Sequence, residues 1–233
     1  LDEQFGSFDM GADSFGAFDF AVDYNVATGQ KSALRINFHS DTLENHRDYY
    51  DGDRYGFNPT LRLEISPVTT LDLSYEHADH ERFIDRGVPT LNGEPVEAFE
   101  DIVFGDTDTN LQTLRADIYR ANLSHEFSET RKGNLVVQYS DFQKLYKNYY
   151  ASGYSGGDTF TADGYLDPTE RNNLIISGNI VNEFQTGSAK HTLLVGAEII
   201  DTENENYRYN TFFITTEDDN EVFNITRPIN FGV

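Results

Sequence analysis

The stretch NLIISGNIVNEFQ-TGSAK-HTLLVGAEII, residues 173–200, decides the fold of this chain. In both arms apolar residues alternate with polar or small ones, which is the period of a β-strand, and a short glycine-containing connection between two such arms predicts a β-hairpin. Each arm is about twice as long as the roughly 5–6 residues of an average strand. A tilted strand needs about 9–11 residues to cross a bilayer. The stretch therefore predicts strands that lie between lipid and a wet lumen.

Composition excludes several classes of protein. The chain has 233 residues, with 17 Lys and Arg against 40 Asp and Glu, so its net charge is −23. Nucleic acid is excluded as a partner, because phosphate binding needs a cationic surface. The absence of cysteine excludes disulfides and thiolate metal sites. An aromatic content of 14% and repeated alternation argue against a disordered acidic chain.

The lengths of the connections alternate along the chain. Short connections are predicted at 26–30, 66–69, 128–132 and 186–190, and long ones at 41–54, 83–113, 146–167 and from 201 onward. Outer-membrane barrels have short periplasmic turns at one end and long extracellular loops at the other. The pattern predicts an all-β protein, an antiparallel up-and-down transmembrane β-barrel, present as a partial barrel of roughly nine or ten strands. Aromatic residues near both strand ends are typical of two interfacial girdles, although aromatics are common in strands generally.

Five segments resemble the β-barrel of TonB-dependent outer-membrane receptors, specifically the ferric-siderophore branch. They are FGSFD (5–9), LDLSYEHADHERFIDRGVPTLNGEPV (71–96), FGD (104–106), RNNLIISGNI (171–180) and GSAKHTLLVGAE (187–198). The resemblance implies a plugged barrel of about 22 strands in the bacterial outer membrane. It also implies that residues 1–233 are a fragment of the barrel domain, without the plug domain and the C-terminal strands.

The resemblance implies a function as well. The complete protein is expected to be a receptor and transporter for ferric siderophore complexes, not an enzyme. Its partners are expected to be a ferric siderophore, the lipid of the outer membrane and, through the missing plug, the energy-supplying TonB-ExbB-ExbD system. The alternative is a soluble or cell-surface β-rich binding module of the adhesin type, stabilised by calcium. That alternative predicts a chain that folds in water without detergent.

Tyrosines and arginines supply the candidate ligand-binding residues. Tyr146, Tyr149, Tyr150 and Tyr154 crowd one predicted long loop and could form an aromatic surface for a siderophore, because binding residues concentrate on loops. The alternative is ordinary loop and girdle aromatics. Arg82 and Arg86 flank another predicted loop and could attract an anionic ferric complex. Arg62 and Arg120, by contrast, are expected to pair with lumen carboxylates such as Glu64 and Glu126.

Neither a cofactor, a metal site nor a catalytic site is predicted. Asp48, Asp51 and Asp53 have spacings that a calcium loop uses, but the full ligand set is missing and a solvated acidic loop is preferred. The segment GYSGG (153–157) matches the G-x-S-x-G motif of hydrolases. That motif requires a strand–turn–helix elbow, and no helical pattern follows it.

Overall fold

A computed structural model describes residues 3–226 and 229, and most of them lie in antiparallel β-strands. The strands are β1 (Phe5–Ala12), β2 (Phe18–Gly29), β3 (Ser32–Glu44), β4 (Asp51–Ser66), β5 (Thr69–Phe83), β6 (Thr90–Leu91), β7 (Glu94–Pro95), β8 (Leu111–Ser128), β9 (Arg131–Gly153), β10 (Thr159–Thr186), β11 (Ala189–Asn206), β12 (Tyr209–Asn210) and β13 (Asn220–Asn224). One turn of 3₁₀ helix, Glu97–Phe99, lies between β7 and β8.

The long strands follow one another through a single sheet. Its order is β1-β2-β3-β4-β5-β8-β9-β10-β11, and the short strands β12 and β13 pair with the far end of β10. β6 and β7 form a separate small hairpin. This up-and-down order confirms the predicted partial barrel, in which each long strand pairs with the next long strand of the chain.

The two ends of the sheet have different connections. Tight turns join β2 to β3, β4 to β5, β8 to β9 and β10 to β11 at one end, which we name the turn end. The loop end carries the segments 13–17, 45–50, 84–110 and 154–158. The predicted alternation is therefore present, but two predicted boundaries are wrong. Most of 41–54 and 146–167 is strand, because β3, β4, β9 and β10 continue well beyond the length that a membrane requires.

The register gives the sheet two chemically distinct faces. On the apolar face, Leu123, Leu135, Gly178 and Ala197 stand side by side across β8 to β11. On the polar face, Asn122, Ser124, Asn134 and Asn179 occupy the intervening positions. Large apolar side chains such as Val195 and Ile199 remain 62% and 68% exposed. A contiguous apolar surface of this kind needs lipid or another protein to cover it.

Aromatic side chains mark both limits of the apolar band. Tyr75, Tyr119 and Tyr139 lie opposite one another on β5, β8 and β9, and the first two rings stack with centroids 5.0 Å apart. We name this line the tyrosine row. Toward the turn end, Phe127 lies on the same face. Tyr119 and Phe127 are separated by about 26 Å at about 3.3 Å per residue. This is close to the apolar band of about 25 Å seen in membrane barrels.

Burial of apolar side chains is concentrated at the loop end. Phe104 and Phe160 pack edge to face with centroids 5.0 Å apart. The buried residues around this pair, which we name the apolar cluster, are Ile102, Phe104, Phe160, Ala162, Phe213 and Ile229. Segments from the 84–110 connection and from the chain beyond β11 therefore pack against the extensions of β9 and β10. This packing holds the loop end together.

Candidate ligand site

The extensions of β9 and β10 bring a group of tyrosines together on the polar face. Even-numbered residues of β9 lie opposite odd-numbered residues of β10, so Tyr150 faces Asp163 and Tyr146 faces Asp167. Tyr165 lies between these pairs, opposite Asn148. Its ring stacks against Tyr146 and meets Tyr150 edge-on, each with centroids 6.0 Å apart. Alternation along two long strands thus builds one aromatic surface.

Two arginines complete this surface, which we name the tyrosine site: Arg86, Tyr146, Tyr150, Tyr165 and Arg208. The guanidinium carbon of Arg86 lies 4.5 Å from the centroid of the Tyr150 ring and 6.0 Å from that of Tyr165. Arg208 lies over Tyr165 at 4.3 Å. Cations at these distances are attracted by the electron-rich ring face. The aromatic surface is thereby turned into a partly cationic one.

Hydrogen bonds fix both arginines. Nη1 of Arg86 donates to Oδ1 of Asn148 at 3.2 Å and to the hydroxyl of Tyr165 at 2.9 Å. Arg208 donates from Nε and Nη2 to the two carboxylate oxygens of Asp167 at 2.8 and 2.5 Å. The side chain of Asn148 also donates to the Tyr165 carbonyl at 3.4 Å, and Asn148 is buried. The site is therefore held by a connected network.

Charges in the site follow from these contacts. The hydrogen bond from Arg208 lowers the pKa of Asp167, so this carboxylate is ionised at neutral pH. The same bond raises the pKa of Arg208. Burial, followed by the hydrogen bond to Asp163 at 3.1 Å, raises the pKa of Tyr150. The tyrosine site thus presents neutral phenols and permanent cations to a ligand.

The 84–110 connection reaches the free edge of β9 through a buried asparagine. The side chain of Asn110 accepts the Tyr149 N–H at 2.7 Å and donates to the Tyr149 carbonyl at 2.9 Å. It also donates to the carbonyl of Ile84 at 3.0 Å. The side-chain amide of Asn110, directly before the first residue of β8, therefore makes the hydrogen bonds to β9 that a neighbouring strand would make. It satisfies backbone groups that would otherwise be buried unpaired.

Another arginine, Arg47, links the 45–50 connection to the 84–110 connection. Nε of Arg47 donates to Oδ2 of Asp85 at 2.5 Å, and its two Nη groups donate to the carbonyls of Glu100 and Ile102, the latter at 3.0 Å. The side chains of Arg47 and Asp85 are only 15% and 9% exposed. Arginine presents several donors in a rigid plane, so a single side chain can connect these three sites.

The candidate residues divide between the two faces. The structure brings Tyr146, Tyr150 and Arg86 together in the tyrosine site. Tyr149 and Tyr154 lie elsewhere: their rings pack 6.1 Å from Phe213 and 5.4 Å from Phe99, against the apolar cluster. Tyr149 is turned away because it occupies an odd position in β9.

Arg82 lies on the same polar face as the tyrosine site. The site itself also contains two residues that were not among the candidates. Arg82 donates to Oε1 of Gln112 at 2.9 and 2.7 Å. Sequence reasoning missed Tyr165 and Arg208. The parity of β10, counted back from Asn173, was the signal that could have placed Tyr165 beside Tyr146.

Of the two deeper arginines, Arg62 pairs with a carboxylate of the polar face, though not with Glu64, and Arg120 pairs with an amide instead of a carboxylate. Arg62 binds Asp72 on β5 at 2.6 and 2.8 Å, because that carboxylate lies directly opposite it. Arg120 binds the Gln138 amide oxygen at 2.9 and 2.6 Å. Glu126 pairs instead with Lys132 at 2.9 Å. Cross-strand neighbours prevail over residues of the same strand, because directly opposite side chains are closer.

Two other candidate sites lack the geometry that their chemistry needs. Within residues 3–226 and 229, no three His, Asp or Glu side chains come close enough to hold a metal ion. The G-x-S-x-G match runs from the end of β9 through a turn into β10. That context is strand–turn–strand, whereas the nucleophile of a hydrolase elbow lies between a strand and a helix.

Charge is segregated between the two faces beyond the tyrosine row. Over β5 and β8–β11 the polar face carries the cations Arg82, Lys144 and Arg171, joined by Arg86 and Arg208, against the carboxylates Glu76, Asp163 and Asp167. The continuation of the apolar face carries the carboxylates Asp79, Glu81, Asp117, Asp141, Glu170, Asp201, Glu203 and Glu205, against Arg115 and Lys147. Over β5 and β8–β11 the cations are therefore gathered on the face that holds the tyrosine site.

Comparison with known proteins gives several relatives. The chain is 25% identical over 206 residues to the metal-pseudopaline receptor CntO of Pseudomonas aeruginosa PAO1, covering 84% of this chain and 28% of the receptor. It is 21% identical over 216 residues to the catecholate siderophore receptor Fiu of Escherichia coli K12, covering 81% of this chain and 28% of that receptor. The chain thus spans little more than a quarter of these relatives. No protein-family model matches it.

Solved structures show the same fold. The ferripyoverdine receptor of the outer membrane of Pseudomonas aeruginosa superimposes with a TM-score of 0.75 at 14% identity, over 100% of this chain and 32% of the receptor. Among the described residues, no helix is long and apolar enough to cross a membrane. The sheet order and the exposed apolar band are those of a barrel wall, the fold of these solved structures. The homologues of this chain are TonB-dependent siderophore receptors of the bacterial outer membrane, and they match its barrel-forming strands.

Proposed function

We propose that this chain is a fragment of the barrel domain of a receptor that imports an anionic ferric siderophore complex. In this proposal the tyrosine site contacts the complex as it enters from outside the cell. Energy for import reaches the receptor from TonB, ExbB and ExbD through a plug domain elsewhere in the complete protein. The proposal also covers the other candidates, Arg82 as a nearby cation and Tyr149 and Tyr154 as support for the loop end.

The concentration of cations around the tyrosine site, on the polar face of β5 and β8–β11, is the observation that carries the proposal. Ferric complexes of siderophores are commonly anionic and offer aromatic or carboxylate groups to the protein. Arg86 is held by rings and neutral acceptors, without a carboxylate of its own in the described structure. Its charge is therefore not neutralised locally, and an anion can take its remaining N–H donors. The names of CntO and Fiu, a metal-pseudopaline receptor and a catecholate siderophore receptor, support the same class of ligand.

The alternative of a soluble or surface-attached binding module has less support. Such a module would need its apolar surface covered in water, yet Val195 and Ile199 are mostly exposed at the middle of a band about as tall as a bilayer core. The relatives are receptors. The receptor is therefore the function that the geometry supports best.

Uptake of radioactive iron tests the proposal. The complete protein would be produced in cells that lack their own siderophore receptors, and iron(III) would be supplied as catecholate, hydroxamate or citrate complexes. We expect at least one class to enter, and we expect entry to stop when TonB is deleted. The Arg86→Met variant should reduce entry of the same complex. Failure of every class to enter cells that display the folded protein on their surface would contradict the proposal.

A further inference from the structure

Arg47 lies in the 45–50 connection, whereas Arg86 of the tyrosine site lies in the 84–110 connection. One residue that Arg47 contacts, Asp85, directly precedes Arg86. The guanidinium of Arg47 donates to the carboxylate of Asp85 and to the carbonyls of Glu100 and Ile102. The ion pair is among the most buried of the described structure, with 15% and 9% exposure for the two side chains. A buried ion pair with additional hydrogen bonds restricts its surroundings more than an exposed pair does.

The carboxylate of Asp85 is held on both sides. Oδ2 accepts from Arg47, and Oδ1 accepts the backbone N–H of Gly87 at 2.8 Å. Gly87 has φ +78°, a left-handed conformation that glycine adopts without strain and other residues resist. The carboxylate therefore closes a tight turn over residues 85–87. Arg86 is the middle residue of that turn.

We propose that Arg47 is a positioning residue that sets Arg86 over the rings of Tyr150 and Tyr165. This inference rests on the proposed function, because it gives Arg47 a role at the proposed ligand site. Arg47 fixes one oxygen of Asp85, the other oxygen fixes the turn, and the turn aims the guanidinium of Arg86. The 45–50 connection thereby controls the geometry of a site that it does not itself line.

Removal of Arg47 should loosen the turn without removing any group of the tyrosine site. In Arg47→Met, the Asp85 carboxylate loses its charged partner in a poorly solvated place, which favours exposure of the turn to water. Arg86 then samples positions away from Tyr150. Affinity for an anionic complex should fall about tenfold, the effect of losing one charge-assisted hydrogen bond. Arg47→Lys keeps the charge next to Asp85 but cannot reach both carbonyls. Its affinity for the complex should therefore lie between those of wild type and Arg47→Met.

Hydrogen exchange tests the structural half of the proposal without any ligand. The complete receptor would be studied in detergent, and exchange of the Gly87 amide would be compared between wild type and Arg47→Met. We expect faster exchange at 85–87, with exchange in β9 and β10 unchanged. Arg35→Met is the matched control, because it removes another arginine–aspartate pair, with Asp23 at 2.6 Å, from distant strands. Unchanged exchange at Gly87 would overturn the proposal. Should Arg47→Met fail to fold, Arg47→Lys is measured in its place.

A double-mutant cycle tests the coupling to Arg86. The probe is the iron(III) complex of 2,3-dihydroxybenzoate, and affinity is measured for Arg47→Met, Arg86→Met and the double variant. If Arg47 acts through Arg86, it should cost about tenfold alone and almost nothing once Arg86 is absent. Additive losses would contradict positioning through Arg86. Failure of the wild-type receptor to bind this probe would exclude the catecholate class as its ligand, and the exchange experiment alone would then decide the role of Arg47.

Discussion

At the scale of single residues, Tyr165 connects the two cations of the tyrosine site. Its ring lies below Arg208, its hydroxyl accepts from Arg86, and its backbone carbonyl accepts from Asn148. Each cation–π contact contributes about 0.5–1 kcal/mol at a partly exposed site. No other tyrosine of the site contacts both arginines in this way. The residue is therefore the most sensitive point at which to test the site.

Replacement of Tyr165 by alanine should weaken binding of the imported ferric complex about 5- to 30-fold, because two cation–π contacts and one hydrogen bond disappear together. Tyr165→Phe should cost less, since the ring remains. Affinity would be measured by titration of the complete receptor with the complex that uptake assays identify. Tyr207→Ala is the matched control, because Tyr207 is exposed on the opposite face and stacks only on Tyr209 among the described rings. An equal loss in both variants would contradict the site.

Acid should release Arg208 only at low pH. The pKa of Asp167 is lowered in the folded protein, so the pair contributes above the unfolded value and is lost as pH falls through the folded value. The window therefore lies below the usual aspartate pKa of about 3.9. Protection of the amides at residues 207–210, taken as the exchange rate relative to the intrinsic rate at each pH, should fall in that range. Asp167→Asn should show low protection at every pH, and a loss of protection near neutrality in wild type would contradict the assignment.

At the scale of elements, the extensions of β9 and β10 pack tightly where a glycine allows it. A Cβ at Gly164 would lie 2.4 Å from Oγ1 of Thr211 and 2.8 Å from the Asn148 carbonyl. These distances are too short for any side chain. The chain beyond β11 can therefore approach β10 only because residue 164 has no side chain. The tyrosine site and the apolar cluster lie on opposite faces of this same element.

Gly164→Ala should destabilise the loop end by about 1–3 kcal/mol, the usual cost of overpacking. Limited proteolysis of the complete receptor should detect cleavage in the 207–226 segment that wild type resists. Gly153→Ala provides the comparison, since its added Cβ would meet Thr161 at 3.5 Å, an ordinary contact. Equal resistance of Gly164→Ala and wild type would show that β10 and its covering segment are not tightly packed.

The sequence pattern predicts the strands only over the part of their length that would cross the membrane. Strict alternation in 173–200 predicted β10 and β11 because lipid on one face and water on the other impose opposite chemistry. Beyond the tyrosine row both faces contact protein or water, so the alternation of apolar and polar residues weakens. For this reason the sequence predicts a loop at 146–167, where the structure has mostly strand. The same limit applies to the candidate site. Tyr146, Tyr150 and Arg86 are identifiable by residue type, whereas Arg208 reaches them only because the chain turns back after β11. Nothing local in the sequence records that return.

At the scale of the whole molecule, the apolar band has to face lipid for the sheet to be stable. Val195 lies near the middle of that band on the apolar face, and Leu194 beside it points to the polar face. Adjacent residues of similar size therefore experience different solvents. This arrangement is typical of a barrel wall, in which lipid and lumen alternate along every strand.

Arginine at position 195 should impair assembly in the outer membrane, with a cost of about 2–4 kcal/mol for a charge near the midplane. Leu194→Arg should be tolerated much better, because that side chain faces the lumen. Both variants of the complete receptor would be compared by the amount of heat-modifiable protein in outer-membrane fractions. Better assembly of Val195→Arg than of Leu194→Arg would reverse the assignment of the two faces.

The segregation of carboxylates and cations between the two faces has a kinetic consequence. Over β5 and β8–β11, carboxylates on the outer face and cations on the inner face focus the electrostatic field, so an anion is repelled from the outside of this part of the wall and drawn toward the tyrosine site. Capture of a dilute complex should then be limited by diffusion within that field. Added salt screens the field over about 8–10 Å at ionic strengths of 0.10–0.15 M. The association rate constant for an anionic complex should therefore fall with ionic strength much more steeply than the dissociation rate constant changes.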